Sequence, residues 1–162
     1  AGFYGGSIHI RGGTAVDVEL VRVLHHELVH AVLDDRAPNV VLPAWLNEGL
    51  AEWFEARAVG KRGLSAGEQG ALVRFAQGGV LAPLSALSGP TFAGLAPNAA
   101  GLAYLESYGF IDFLAQREGE GGLVELWQAV LRAGSVERGV RRAFHRELDE
   151  LDQAFRASLG AR

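Results

Sequence analysis

Apolar residues recur every three or four positions in several stretches of the chain, which is the pattern of amphipathic helices. The clearest stretch covers residues 18–32 and ends at the polar, proline-containing segment 34–38. A second run with the same spacing covers residues 45–58. Because Thr14 and Asp17 match a capping box, we expect the first helix to begin there and to pack against the second.

The rest of the chain alternates loop-like stretches with further helical patterns. Residues 60–70 and 78–101 are rich in Gly, Pro, Ala and Ser, so we predict loops there with a short helix at 72–75 between them. Helical spacing resumes in four later stretches, at residues 102–115, 123–131, 136–144 and 148–159. Near the N-terminus, the segment 5–13 alternates Ile8 and Ile10 with polar residues between glycines, which predicts an edge strand or hairpin. The expected fold class is α+β, mostly α.

Composition places the chain among ordinary globular proteins. Its 162 residues are 49% hydrophobic and 21% charged, which suffices for one domain with a core. Fifteen Lys and Arg against nineteen Asp and Glu give a net charge of -4, which leaves no basic footprint for nucleic acid. No stretch approaches the roughly 18 consecutive apolar residues that a spanning helix needs. We therefore expect a single domain over residues 1–162, with no nucleic-acid partner and no membrane span.

Two residue types are missing from the chain. Without Cys there is no disulfide and no thiolate, so any metal must be held by His and carboxylates. The absence of Cys is compatible with a secreted or periplasmic protein and does not show either. Because the chain starts at Ala and contains no Met, we expect a processed product or a domain of a longer chain, with a further domain as a partner.

The sharpest chemical signal is the sequence His26-Glu27-Leu28-Val29-His30, which lies inside the first predicted helix. Four residues at about 100° each bring His30 back to within roughly 40° of His26, so both imidazoles can reach one cation from one helix face. Zn²⁺ suits this spacing because neutral imidazole nitrogen is one of its preferred ligands. Glu27 lies about 100° from His26 around the helix, so it can flank the metal and act on water without being a ligand.

A carboxylate for the same cation lies near the start of the second predicted helix, in the sequence N-E-G-L-A-E that begins at Asn47. Seventeen residues separate Glu48 from His30, so the connecting loop can return Glu48 as a third ligand and leave the fourth position open. Glu52, one turn further on, can accept the remaining ring N–H of a ligating histidine. We assign Asn47 with Glu52 to the side chains that support the ligands.

These two segments together resemble the gluzincin branch of the zinc metallopeptidases, which includes thermolysin and the zinc aminopeptidases. The closest resemblance is to the short bacterial domains of the peptidase MA-like kind. It implies a zincin-like minimal catalytic domain that binds Zn²⁺ and hydrolyses peptide bonds in a peptide or protein substrate. By this resemblance the zinc ligands are His26, His30 and Glu48, the general base is Glu27, and Glu52 is the partner of the first histidine.

Residues 103–114 carry a third match, since they are similar to the aminopeptidase helix that begins with a catalytic tyrosine. The resemblance gives Tyr104 the role of donating its O–H to the oxyanion of the tetrahedral intermediate. Tyr108, one turn further on, is the alternative. The substrate is expected to lie antiparallel to the edge strand near residues 7–11, held by main-chain hydrogen bonds.

Two interpretations from other classes remain open. The first is a catalytically silent zinc-binding structural or interaction module, which an intact Glu27 and an open fourth position argue against, because structural zinc normally has four protein ligands. The second is a helical interaction domain without metal, which the co-occurrence of both zinc motifs disfavours. Specificity is open as well, because residues 3–11 contain no acid that could capture the free amine of an aminopeptidase substrate.

Overall fold

The computed structural model describes residues 2–10 and 17–160, which form a small hairpin, six α-helices and one short 3₁₀ helix. In chain order the elements are β1 (Gly2–Tyr4), β2 (Ile8–Ile10), α1 (Val18–Arg36), α2 (Ala44–Ala58), α3 (Ala66–Gln77), the 3₁₀ helix (Leu84–Leu87), α4 (Pro97–Ala133), α5 (Val136–Phe144) and α6 (Leu148–Gly160). The prediction of a mostly α fold with a small sheet is confirmed. Within the described residues, no helix combines the length and apolar character needed to cross a membrane.

The two strands form an antiparallel hairpin in which Gly2 lies opposite Ile10 and Tyr4 lies opposite Ile8. The predicted strand segment 5–13 is therefore only partly strand, since residues 5–7 form the turn and residues 11–13 lie outside the described part of the chain. Both strands contact α1. The Tyr4 hydroxyl also donates to Asp34 Oδ2 at 3.0 Å, which fixes the hairpin along α1.

The first helix begins at Val18, which is four residues after Thr14, the start of the predicted capping box. Asp17 has an extended backbone, with φ −119° and ψ 176°, and its carboxylate accepts a hydrogen bond from the N–H of Leu20. Asp17 is therefore the N-cap itself, because its side chain satisfies a free N–H of the first turn. Thr14, the other half of the predicted box, lies outside the described residues.

The prediction of a loop over residues 60–70 is wrong in its second half, where α3 begins. Ser65 and Glu68 form a capping box: the Ser65 hydroxyl accepts the N–H of Glu68, and the Glu68 carboxylate accepts the N–H of Ser65. Glycines at positions 67 and 70 favour a loop by composition, since each costs a helix about 1 kcal/mol relative to Ala. The reciprocal cap and the burial of Leu72 offset that cost.

The core is centred on the crossing of α2 and α4. Trp45 and Phe110 are buried there with their rings edge to face, 5.3 Å apart between centroids. Gly49 makes the crossing close, because an added Cβ would lie 2.7 Å from the Ser107 carbonyl oxygen and 2.7 Å from Ile111 Cγ1. The two helix backbones therefore touch at Gly49, directly after Glu48.

Helix α4 breaks at Gly119, which lies between the two separate helices that the sequence pattern predicts at 102–115 and 123–131. Gly119 has φ 75° and ψ 167°, a non-helical conformation that glycine adopts far more readily than other residues. The prediction of two helices is therefore confirmed, with helical backbone on both sides of the kink from Pro97 to Ala133.

The connection between α3 and α4 corresponds to the predicted loop over residues 78–101, although its last residues already belong to α4. Four of its apolar side chains enter the core: Leu81, Leu84, Leu87 and Phe92. The connection is therefore anchored to the core at four points between Leu81 and Phe92.

Three polar side chains form hydrogen bonds to the backbone of this connection, and we call them the Glu106 clamp (Glu106, Asp152 and Arg156). Glu106 is 1% exposed and accepts hydrogen bonds from Ala82 N–H at 3.2 Å and from Arg156 at 3.0 Å. Asp152 accepts from Leu84 N–H at 3.2 Å and from Arg156 at 2.9 Å. Arg156 also donates to the carbonyl of Ala82. The clamp thus joins α4 and α6 to the backbone of the connection.

Candidate metal centre

Three groups that can bind a metal ion converge where α1 faces the start of α2. Nε2 of His26 and Nε2 of His30 each lie 3.4 Å from Oε2 of Glu48. The two imidazole rings are 4.8 Å apart between centroids and nearly perpendicular, at 79°. Ligands bound at about 2.0–2.1 Å to a tetrahedral ion lie about 3.3 Å from one another. The three side chains are therefore spaced as the ligands of one small cation are, and the group could hold a metal ion.

A hydrogen bond at the second ring nitrogen orients each imidazole. Nδ1 of His26 lies 3.1 Å from Oε2 of Glu55, and Nδ1 of His30 lies 3.0 Å from Oδ1 of Asn47. Because both partners are acceptors, Nδ1 of each ring carries a proton, and Nε2 is the ring nitrogen that would bind a metal ion in place of a proton. Asn47 thus lies beside His30, in the supporting position that the sequence analysis gives it.

The partner of His26 is Glu55, whereas the resemblance assigned that role to Glu52. His26 comes before His30 on α1, but its partner Glu55 comes after Asn47, the partner of His30, on α2. The two pairs therefore follow opposite orders along the two helices. Seven residues at about 100° each place Glu55 within roughly 20° of Glu48 around α2, so Glu55 shares its face two turns further on. Glu52 lies within 4.8 Å of both His26 and Glu55. Burial and the charge of Glu55 raise the pKa of Glu52.

Sequence reasoning missed both Glu55 and the arginine that contacts it. Arg22 lies on α1 one turn before His26, and its Nε donates to Oε1 of Glu55 at 2.7 Å. Burial alone would raise the pKa of Glu55, but the hydrogen bonds from His26 and Arg22 hold it below its ordinary value. The sequence signal that finds this pair is the i, i+4 spacing of Arg22 and His26, combined with an antiparallel arrangement of α1 and α2.

The electrostatics of the site favour a positive charge between the ligands. Burial alone would lower the pKa of His26, yet its hydrogen bonds with Glu48 and Glu55 raise that pKa to about 10. Burial alone would raise the pKa of Glu48, but hydrogen bonds from His26 and His30 hold it down at about 2. The pocket between the ligands therefore stabilises a cation, whether a proton on His26 or a metal ion. Two imidazoles and one carboxylate form a donor set that fits a first-row divalent ion.

The three ligands open into a cleft of about 680 Å³ between α1 and the hairpin. Residues 2–6 line it, so β1 is the strand at the cleft, rather than the predicted segment 7–11. Glu27 also lines the cleft and is 5% exposed. Its side chain lies directly beneath β1, because a Cβ added to Gly2 would be 3.1 Å from Glu27 Oε1. Strand β1 thus shields Glu27 from bulk solvent.

The two tyrosines that the sequence offers on α4 have different surroundings. Tyr104 lines the cleft and packs edge to face against Phe92, with 5.2 Å between ring centroids. Burial and the negative charge of Glu48 raise the pKa of Tyr104, so its phenol stays protonated. Tyr108 is instead 3% exposed and lies under the Lys61 ammonium, 4.7 Å from the ring centroid. Of the two tyrosines on α4, Tyr104 is the one that lines the cleft of the three potential ligands, which Tyr4 of β1 also lines.

Comparison with known proteins gives one family for the chain. The family model of the Peptidase MA superfamily matches residues 8–161. No curated protein and no solved structure matches the chain. The matched range runs from β2 to α6 and therefore includes the three potential ligands, Glu27 and Tyr104.

Proposed function

Because the chain belongs to the Peptidase MA superfamily, we propose that it is a zinc metallopeptidase of the gluzincin type, which hydrolyses peptide bonds in peptides or proteins. One observation carries the proposal: the Nε2 atoms of His26 and His30 converge on the same oxygen of Glu48, in a cleft that Glu27 also lines. A structural zinc site would normally supply a fourth protein ligand.

His26, His30 and Glu48 would hold Zn²⁺ and leave one tetrahedral position open. When bound, the zinc ion supplies Lewis acidity, which polarises a carbonyl and lowers the pKa of water from about 15.7 toward roughly 7. Asn47 and Glu55 keep the two imidazoles turned toward that position through the Nδ1 atoms. The protein therefore holds the ligands in place before an ion arrives.

Glu27 is the proposed general base. It follows His26 directly on α1 and precedes His30 by three residues. One turn of helix therefore fixes its position relative to both histidines. Its carboxylate takes a proton from the attacking water and gives that proton to the leaving amine as the C–N bond breaks. Strand β1 covers this carboxylate and limits the bulk water that reaches it.

Tyr104 is the proposed donor to the oxyanion. The tetrahedral intermediate of peptide hydrolysis carries a negative oxygen, which a positioned O–H stabilises. The raised pKa of Tyr104 supports this assignment, because the phenol must keep its proton in order to donate it. Tyr108 is unsuited to the role, since it does not line the cleft in the described part of the chain.

Strand β1 is the proposed track for the substrate backbone. In the described residues it pairs with β2 along one edge, and its residues line the cleft. An extended peptide would add to the other edge through main-chain hydrogen bonds. This mode of binding leaves the side chains of the substrate to decide specificity.

The decisive experiment incubates the zinc-loaded protein with a mixed peptide library and detects cleavage by mass spectrometry. Glu27→Gln should keep one equivalent of zinc and lose turnover by a factor of about 10²–10⁴. Asp35→Asn removes an exposed carboxylate of the same helix; it is the matched control and should cleave like the wild type. If the wild type binds zinc and cleaves nothing, the protein is the catalytically silent zinc module instead.

A further inference from the structure

An arginine outside the cleft reaches the metal centre through one carboxylate. Nε and Nη2 of Arg22 lie 2.7 and 2.6 Å from Oε1 of Glu55. The other oxygen of that carboxylate, Oε2, lies 3.1 Å from Nδ1 of His26. The two oxygens of Glu55 are thus divided between Arg22 and His26.

We propose that Arg22 is a positioning residue of the metal centre, which holds Glu55 in the rotamer that orients the His26 imidazole toward the metal. This inference rests on the proposed function, because it needs His26 to be a ligand. It adds a residue that neither the zinc motifs nor the family match single out. Arg22 acts through Glu55 and contacts neither substrate nor metal.

Two acceptors compete for the same ring nitrogen, and this competition gives Arg22 its role. Glu52 and Glu55 both offer a carboxylate oxygen within 4.8 Å of His26 and of each other. Like charges at that separation repel, so a second cation is needed to keep both acids near one histidine. Of these two acids, Arg22 pairs with Glu55, by two charge-assisted contacts to one oxygen, while its Nη1 lies 3.5 Å from the exposed Glu19. It thereby selects Glu55 over Glu52 as the partner of His26.

The burial of Glu55 makes its pairing with Arg22 important for the orientation of His26. The Glu55 side chain is 9% exposed, whereas the Arg22 side chain is 46% exposed and can be changed without opening the core. A carboxylate that loses one partner in a buried position is left with an uncompensated charge. Without Arg22, Glu55 loses the two contacts that fix its Oε1, so its side chain can turn toward solvent, and this movement weakens its contact with His26.

The second histidine provides an internal contrast. His30 is oriented by the neutral amide of Asn47 at 3.0 Å. That amide needs no counter-charge, so loss of Arg22 should disturb one ligand and leave the other in place. The expected result is a weaker and less symmetric site rather than an absent one.

The test measures metal binding directly. Zinc affinity is determined by competition with a chromogenic chelator, and ligand geometry by the visible absorption of the Co²⁺-substituted protein. Arg22→Ala should lower zinc affinity by about 10–100-fold and change the Co²⁺ spectrum, as loss of a supporting partner does at other sites. Arg22→Lys keeps a donor and should recover part of the affinity. Arg36→Ala removes an exposed arginine of the same helix and should change nothing.

A double-mutant cycle separates this role from a general effect on folding. Glu55→Gln alone should weaken zinc binding, and Arg22→Ala should add little further loss in that background, because both changes break one chain of contacts. Unchanged affinity in Arg22→Ala, or losses that add in the double variant, would overturn the inference and leave the proposed function standing. A wild-type protein that binds no zinc would overturn both. None of these measurements of zinc affinity requires cleavage activity.

Discussion

The metal centre and the Glu106 clamp are both built on buried carboxylates, but they differ in how those charges are balanced. In the clamp, Glu106 and Asp152 each receive Arg156 and a backbone N–H. At the metal centre, Glu48 faces two imidazole nitrogens, and no Lys or Arg lines the cleft in the described residues. The carboxylates of the clamp are therefore matched by an arginine and by backbone donors, whereas Glu48 faces two imidazole nitrogens that could share a metal ion with it.

Removal of one histidine from the metal centre gives the largest expected effect, which is on metal binding. His30→Ala should abolish stoichiometric metal binding, because Glu48 and His26 alone supply only two ligands. The chain should stay folded, since His30 lies at the cleft and outside the apolar core. Metal content after dialysis, together with far-UV circular dichroism, measures both properties.

His25→Ala is the matched control for this prediction. The ring of His25 contacts the Val21 carbonyl of its own helix at 2.8 Å and lies outside the cleft. The His25→Ala variant should therefore retain one equivalent of metal. A full equivalent in His30→Ala would instead show that the two clusters do not differ in the way described.

The two tyrosines of α4 sharpen the same comparison. Tyr104→Phe should lower kcat by about 10²–10³-fold with metal content unchanged, because it removes a donor to the oxyanion. Tyr108→Phe should leave kcat unchanged, since the Tyr108 hydroxyl is buried and has no hydrogen-bond partner among the described residues. Steady-state kinetics on a peptide substrate test both variants. A larger kcat loss in Tyr108→Phe would move the oxyanion role one turn along the helix.

The Glu106 clamp should instead appear in stability, as a dependence on pH. Burial raises the pKa of Glu106 to about 7, although Arg156 and Ala82 oppose the shift, against an ordinary value of 4.5. The folded protein therefore holds this proton more tightly than the unfolded chain does. The stabilisation is complete below pH 4.5 and is lost as the pH rises to about 7, by on the order of 3 kcal/mol.

Glu106→Gln isolates this effect, because glutamine resembles the protonated acid and does not titrate. The free energy of unfolding of the wild type, measured in urea between pH 5 and 8, should fall relative to that of the variant as the pH rises. Metal affinity should be equal in the two proteins. A constant difference across this range would show that Glu106 is ionised throughout.

The smallest effect is expected at the crossing of α2 and α4. Gly49→Ala should lower the free energy of unfolding by about 1–3 kcal/mol, because the added Cβ meets the Ser107 carbonyl oxygen at 2.7 Å. Gly67→Ala is the matched control, since its Cβ meets only the Ser65 hydroxyl at 4.0 Å. It should raise the free energy of unfolding by up to about 1 kcal/mol, because alanine is the better helix former. Urea denaturation compares the two, and equal effects would contradict the close approach.

The sequence predicts those parts of the site that depend on one helix at a time. His26 and His30 are found from a spacing of four residues, and Glu48 from its place at the start of the next helix. The exchange of Glu52 for Glu55 could not be predicted in this way, because it depends on the relative direction of α1 and α2.

The Glu106 clamp was out of reach for a related reason. Apart from the i, i+4 pair of Asp152 and Arg156, its contacts join residues 24 to 75 positions apart in the chain, such as Arg156 and the Leu81 carbonyl, and no local pattern encodes them. Helix α3 was predicted only over residues 72–75, because the glycines before them outweighed the Ser65 and Glu68 cap in an interpretation based on composition. The choice between Tyr104 and Tyr108 likewise required the orientation of α4 against the cleft.

The backbone contact at Gly49 also bears on how freely this protein can change over evolution. Glu48 precedes the contact on α2, and Ser107 on the other side lies one turn after Tyr104 on α4. The separation between Glu48 and Tyr104, the proposed oxyanion donor, is therefore limited by a close backbone approach at Gly49. Exchange of apolar residues elsewhere in the core is expected to alter that separation less than a substitution at position 49, so sequence divergence should be tolerated more readily around this contact than at it.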